Sequence, residues 1–284
     1  MAKNKGKGKG KGKGRAKPKK KSIADRADRH DLYQKSVQAP EADVEFFDTV
    51  YREVRDGRSP KSMREDFCGT GYLSCTWAAS KRSRTAYGVD LHEPTLAWGR
   101  EHNVAKLSAA AQGRVELVEG NVLDGLGDQQ DIVCALNFSY GVFKTRADLL
   151  AYFKAAREKV ADDGIFITEL YGGFEGIIEV EEERELDGFT YVWEQAKFNP
   201  INHHTLCHIH FRFPDGSKIK KAFTYDWRLW TIPELRELLL EAGFVNTKVY
   251  WERTDEDGDG TGDFVATEDE ENQDSWLVYI VGMK

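Results

Sequence analysis

The sequence predicts an α/β fold: a doubly wound, mostly parallel seven-stranded sheet with an antiparallel hairpin insertion after its fifth strand. Three observations carry this. Strand-like apolar runs alternate with helical periodicity along the chain. Residues 132–136 form an uninterrupted apolar run, the mark of a parallel strand covered on both faces. A Gly-Thr-Gly turn behind two acids ends at Gly71 and is followed 19 residues later by Asp90, which closes the run Tyr-Gly-Val-Asp. Ligand residues falling where strands end place a crevice at the carboxyl edge of such a sheet.

The elements follow in order. Residues 31–54 read as one amphipathic helical lead-in, with Val44, Phe47, Val50, Tyr51 and Val54 at helical spacing. Residues 62–67 are the first strand, although Arg64, Glu65 and Asp66 are unusually polar for a central one. Residues 85–89 give the second strand, 93–107 the helix after it and 115–118 the third strand. Asn137-Phe138-Ser139-Tyr140 ends the fourth. Thr145 caps a helix whose Leu149, Phe153, Ala156 and Val160 share a face, and Asp163-Gly164 stops it. Residues 165–170 supply the fifth strand. Thr231-x-x-Glu234 is a capping box opening a helix that Gly243 closes. Residues 245–251 and 276–281 form a final pair around an acidic loop. Lacking a crossover helix, that pair is expected to be antiparallel.

Some 60 residues separate the fifth strand from the Thr231 helix, far more than a usual connection. Residues 175–228 are therefore expected to form a substrate lid. Within it, 189–198 and 204–213 read as strands, and Pro214-Asp215-Gly216-Ser217 as a hairpin turn into 218–225. Thr205, Cys207, Ile209, Phe211 and Phe213 share one face of the middle strand; His204, Leu206, His208, His210 and Arg212 share the other. Those histidines have three readings: a solvated face, bases lining an acceptor cavity, or a metal cluster. No carboxylate or thiolate completes a site, so no metal is expected. The loop starting at Asp255 has calcium-like spacing, but its twelfth position is Ala266 rather than a bidentate Glu.

Composition suits one large domain, residues 31–284, behind a separate tail. The 284 residues are 40% hydrophobic, enough to bury a full core. The net charge of −7 hides an asymmetry, because residues 1–21 hold ten Lys and Arg15 but no acid. Setting those 11 aside leaves 30 bases against 48 acids, so the body carries about −18. The Lys/Gly-rich stretch 1–30 is expected to be disordered. It reads as a solubilising tail or as an arm for a nucleic acid or another acidic partner. No apolar run is long enough to cross a bilayer and no secretion signal follows the basic start, so a cytoplasmic protein without membrane contact is expected. Four scattered cysteines form no Cys-x-x-Cys pair and are expected to be reduced. The oligomeric state has no signature in the sequence.

The glycine turn and Asp90 have the spacing of a site for an adenosine-bearing cofactor. Backbone at such a turn can approach a ligand closely, and the acid can grip both ribose hydroxyls. Gly69-x-Gly71-x-x-Ser74 nearly fits the dinucleotide fingerprint, with Ser where its third glycine should stand. The segment order divides the two readings, since dinucleotide dehydrogenases continue into a substrate domain and this chain closes on a strand pair.

Over residues 32–284 the chain resembles the class I S-adenosylmethionine-dependent methyltransferases. Cys68-Gly69-Thr70-Gly71 is similar to the family's first motif, with Glu65 in its acid slot, Asp66 next to it and Phe67 in place of its first glycine. Either acid could meet the cofactor. The resemblance implies S-adenosyl-L-methionine as cofactor, Asp90 on the ribose, Leu91 beside the adenine, and Asn121 and Val122 from Gly120-Asn121-Val122 as the third motif. Asn137 opens the fourth motif toward the substrate. It implies methyl transfer to an N or O nucleophile, most plausibly on a small molecule. Tyr140, Glu169, Tyr171, His208 and His210 are the acceptor-side catalytic candidates. An RNA or protein acceptor reached through the tail is the alternative, and a cofactor-binding scaffold without turnover a second one.

Overall fold

The lead-in breaks where proline requires it. In the computed structural model, which describes residues 21–256, 258 and 260–284, two helices replace the single one expected: α1 (Arg29–Val37) and α2 (Pro40–Val54). Pro40 disfavours helix at Ala39 and opens α2 at its first turn. Of the expected tail 1–30, only residues from 21 onward are described. Residues 1–20 lie outside the described residues, but Ser22 and Asp25 close a turn and Asp28 caps α1. Ile23 and Ala24 donate backbone hydrogen bonds to Asp215 and Ser217 at the lid hairpin. This docking holds the segment against the lid.

The chain then runs through β1 (Ser62–Asp66), α3 (Tyr72–Ser80), β2 (Thr85–Asp90), α4 (Glu93–His102), α5 (Ala109–Gln112), β3 (Val115–Glu119), β4 (Gln130–Ala135), α6 (Arg146–Lys159) and β5 (Val160–Gly172). The lid comprises β6 (Val180–Leu186), β7 (Phe189–Asn199), β8 (His204–Arg212) and β9 (Lys218–Arg228). After it come α7 (Ile232–Glu241), β10 (Asn246–Thr254), β11 (Gly260–Thr267) and β12 (Trp276–Met283).

The larger sheet has the order β11-β10-β12-β5-β4-β1-β2-β3. Its β5-β4-β1-β2-β3 half is parallel, while β12 runs antiparallel to both β5 and β10. The seven predicted strands are all present, in a doubly wound arrangement. An eighth, β11, pairs with β10 inside the stretch expected to be loop. Its Gly260, Gly262 and Asp263 hide the strand pattern, yet Phe264 packs edge-on to Tyr279 at 4.6 Å. Between β3 and β4 no helix forms, because Gly125 and Gly127 take φ of 65° and 71° in a ten-residue crossing. Apolar cores lie on both faces of the sheet, one built with α2 and α3, the other with α6 and α7.

Alternation along β1 explains its polarity. Met63 and Glu65 turn toward α2 and α3, and Arg64 and Asp66 toward α6. The Arg64 Nε lies 2.7 Å from Asp66 Oδ1 with both side chains fully buried. Tyr152 donates to Asp66 Oδ2 at 3.0 Å, and Arg64 to the carbonyl of Leu126. These bonds offset part of the cost of burying the pair, although Arg64 Nη2 is buried without a hydrogen-bond partner.

The lid is a four-stranded antiparallel sheet, one strand more than the sequence suggested. Strand β6 was hidden by Glu181, Glu182, Glu183 and Glu185, yet Asp187-Gly188 is a strong two-residue hairpin signal and Gly188 has φ of 84°. The Pro214–Ser217 turn, the Thr145 cap and the Thr231 capping box form as predicted.

Candidate active site

The turn after β1 is shaped by backbone conformations that most side chains resist. Phe67, Gly69 and Gly71 have φ of 59°, 53° and 61°. Phe67 thus takes the left-handed conformation for which a glycine is suited, and its ring packs on Phe143 and Tyr152, which offsets the strain. Three residues that sequence reasoning missed hold the turn from outside. A Cβ on Gly99 of α4 would stand 2.2 Å from the Thr70 carbonyl oxygen, so the helix can approach only because this position is glycine. Asn103 Nδ2 donates to that same oxygen at 3.0 Å, and Gln34 Nε2 of α1 to Thr70 Oγ1 at 2.8 Å. The glycine inside a helical pattern was the available signal for Gly99; Gln34 and Asn103 offered none.

Asp90 is tied to the turn. Its Oδ2 accepts from the Gly69 N–H and its Oδ1 from the His92 N–H, both at 2.8 Å. Each oxygen keeps a lone pair for a further donor. Beside it Leu91 is 66% exposed, an apolar surface open to a flat ring. Gly120 N–H donates to the Asp90 carbonyl at 2.9 Å, bringing the end of β3 alongside. There Asn121 Oδ1 accepts from the Leu123 N–H at 3.0 Å, while the Val122 side chain is buried in the core. Cys68 is also buried, its thiol pushed well up by burial, so it offers the crevice backbone only.

The two acids of β1 separate. Glu65 Oε2 accepts from both the N–H and the hydroxyl of Ser74. Serine at the third-glycine position thus anchors the carboxylate of β1. Glu65 borders a cavity, whereas Asp66 is held in the Arg64–Tyr152 network on the opposite face. Asp66 is therefore corrected from cofactor contact to core.

Two cavities adjoin at the end of β4. The first, about 210 Å³, lies between the start of α2 and the sheet, with Asp43, Glu65, Glu169 and Glu252 in its walls. Burial pushes Glu65 and Glu169 each up to about 8, and Asp43 to about 6. Glu169 is held by the backbone N–H groups of Asn137 and Phe138, and Asp43 by the Tyr279 hydroxyl at 2.6 Å. The second cavity, about 180 Å³, lies under the lid and is lined chiefly by aromatic rings, Tyr171 among them. Both contain Val37 and Asn137. Asn137 and Phe138 have φ of 53° and 55°, so the backbone is strained where the two spaces meet.

The catalytic candidates from the sequence do not all reach these spaces. Glu169 borders the first cavity and Tyr171 the second. Tyr140 is fully buried, and its hydroxyl donates to the Glu169 carbonyl at 2.9 Å, which makes it core. His208 and His210 fall on the wrong face of β8: Ile209 points into the cavity, while His208 bonds Thr224 and His210 bonds Glu194 at 2.7 Å. Strand alternation put the apolar face inward, because the lid must bury its own apolar side. Among the described residues no group of three or more His, Cys, Asp or Glu side chains is arranged to hold a metal ion. No helix among them is long and apolar enough to cross a membrane.

No protein-family model and no curated protein matches the chain. Solved structures do. The chain is similar to CcbJ methyltransferase from Streptomyces caelestis at a TM-score of 0.64 and 17% identity, over 89% of this chain and 95% of that one. A S-adenosylmethionine-dependent methyltransferase from Clostridium acetobutylicum matches at 0.63 and 14%, covering 89% and 97%. The sugar N-methyltransferase KedS8 from Streptoalloteichus matches at 0.59 and 19%, covering 100% and 98%. With its parallel core, antiparallel closing strands and inserted lid sheet, the chain has the fold of the class I S-adenosylmethionine-dependent methyltransferases.

Proposed function

We propose that this protein transfers a methyl group from S-adenosyl-L-methionine to an N or O nucleophile of a small molecule. The observation that carries the reading is the coupling of Asp90 to Gly69: the acid closing β2 is fixed against the glycine turn with lone pairs free. An exposed Leu91 beside it and backbone unobstructed by side chains at Gly69 fit an adenosine. Glu65, Gly69, Gly71, Asp90, Leu91, Asn121 and Asn137 would hold this cofactor, with Cys68 and Val122 contributing backbone.

When bound, S-adenosylmethionine supplies an electrophilic methyl whose transfer leaves sulfur as a neutral thioether, so an N–H or O–H acceptor must also lose a proton. Glu169, bordering the first cavity beside Asn137, is the group suited to take that proton when ionised, since burial raises it to about 8 and makes its carboxylate a stronger base. Tyr171 would position the acceptor from the second cavity. The lid and α1 wall that space and limit its contact with water.

A small acceptor is favoured because segments of this same chain wall both cavities, α1 and the lid around the second and α1, α2 and the closing strands around the first. The similar structures include a sugar N-methyltransferase and an amino pentose methyltransferase, which supports the same size class. Calorimetric titration with S-adenosylhomocysteine tests the first half, and a screen of small acceptors with methyl-labelled cofactor the second. Absence of binding to the wild-type protein would discard the reading.

A further inference from the structure

We infer that the aromatic cavity under the lid is a cage for an organic ammonium group, which makes the acceptor an amine. The inference rests on the methyltransferase reading for its catalytic meaning, but the cage itself stands on geometry. Three separate elements supply its rings. The lid gives Tyr191, Trp193, Tyr225 and Trp227, with Tyr225 and Trp227 stacked at 4.3 Å and Trp193 within 6.4 Å of both. The carboxyl edge of the large sheet gives Phe138 and Tyr171, edge to face at 4.7 Å. Helix α1 closes the space with Tyr33.

Ring faces converging from several sides attract a cation through their quadrupoles, most strongly when water is excluded. An apolar aliphatic ligand would need no such density of tyrosine and tryptophan. Charge points the same way: among the described residues no Lys, Arg or His lines either cavity, and the adjoining space carries four carboxyl groups whose ionisation a bound ammonium would favour. Arg184, 5.3 Å from the Tyr191 ring, donates to the Ser36 carbonyl, and Arg228 pairs with Glu234. A phosphate or carboxylate would find no cationic partner in these walls. Asn137 lines both cavities and its N–H bonds Glu169, so an ammonium held in the cage has a carboxyl group in the adjoining cavity that, once ionised, can receive its proton: the N–H bond breaks, an O–H bond forms, and the nitrogen keeps its lone pair.

The test uses the full chain and a matched pair of probes, choline and its uncharged isostere 3,3-dimethylbutan-1-ol, titrated by calorimetry with tryptophan fluorescence as a second readout. Choline should bind about tenfold or more tightly than the alcohol, and Trp193→Leu should weaken choline by about tenfold while Trp193→Phe largely retains it. Circular dichroism on the two variants separates a lost ring from a lost fold, and Trp227→Leu repeats the test at a second position. Equal binding of the two probes, binding of neither, or choline binding indifferent to both leucine variants overturns the cage. S-adenosylhomocysteine is titrated in parallel. Its binding without choline binding removes the amine assignment alone, whereas choline binding without it leaves the cage and removes the methyltransferase reading.

Discussion

The backbone N–H of Gly69 donates to Asp90 Oδ2 at 2.8 Å, joining the turn after β1 to the end of β2. One carboxylate therefore does two things: it sets the turn and presents acceptors to the crevice. Replacing Asp90 by Ala should weaken S-adenosylhomocysteine by about 1.5–3 kcal/mol, the usual worth of hydrogen bonds to a charged group. Asn, which keeps an acceptor, should lose less. Unchanged affinity in calorimetry for Asp90→Ala would remove the site from this crevice.

Gly99 should tolerate no side chain. Its Cβ would meet the Thr70 carbonyl at 2.2 Å, and a backbone oxygen cannot swing aside. Gly99→Ala is expected to cost about 1–3 kcal/mol in a urea melt, as overpacking does, and to weaken cofactor binding by displacing the turn. Gly113→Ala, where the new Cβ would meet nothing closer than 3.9 Å, is the control. Similar losses in both would show that α4 does not lean on the turn.

The Arg64–Asp66 pair predicts a loss of stability apart from the crevice. With both side chains buried, Asp66→Ala leaves an unpaired guanidinium and should cost about 3–5 kcal/mol. Because Asp66 faces α6, folded variant should still bind S-adenosylhomocysteine. A denaturation midpoint equal to wild type, or selective loss of binding in a fully folded variant, would return Asp66 to the cofactor site.

Stability should fall as pH rises toward 8. Glu65 and Glu169 are held at about 8 against an ordinary 4.5, and Asp43 at about 6 against 3.8, in each case mainly by burial. The native state therefore binds these protons more tightly than the unfolded chain. Their contribution is fully present below the unfolded values and is lost as pH passes through 6 and then 8. Tm measured from pH 5 to 9 should decline, and Glu169→Gln should flatten the decline at its upper end. A Tm that climbs over this range in wild type, or a Glu169→Gln profile parallel to it, would contradict the burial of these carboxyls in their neutral form.

Much of this protein was written locally. The alternation of strands and helices, the Thr145 and Thr231 caps, the glycine turn and the spacing to Asp90 are set by periodicity and backbone preference within about 30 residues, so they are legible in order along the chain. Even the left-handed conformation at Phe67 was foreshadowed, as a bulky residue in a glycine's place. What lay beyond the sequence depended on which side of a strand meets which neighbour. Adjacent acids in β1 part company because one faces α3 and the other α6. The lid histidines lost their role when the apolar face of β8 turned inward, and Tyr140 lost its own by sinking into the core. Tyr33, Trp193 and Trp227 gain theirs only because α1 and the lid meet over the end of β4, contacts between segments more than 100 residues apart, and Gln34 gains its own by reaching Thr70, 36 residues along the chain. Local sequence fixes an element and its periodicity, but burial is shared between distant elements, and their packing alone decides which side chains surround a cavity.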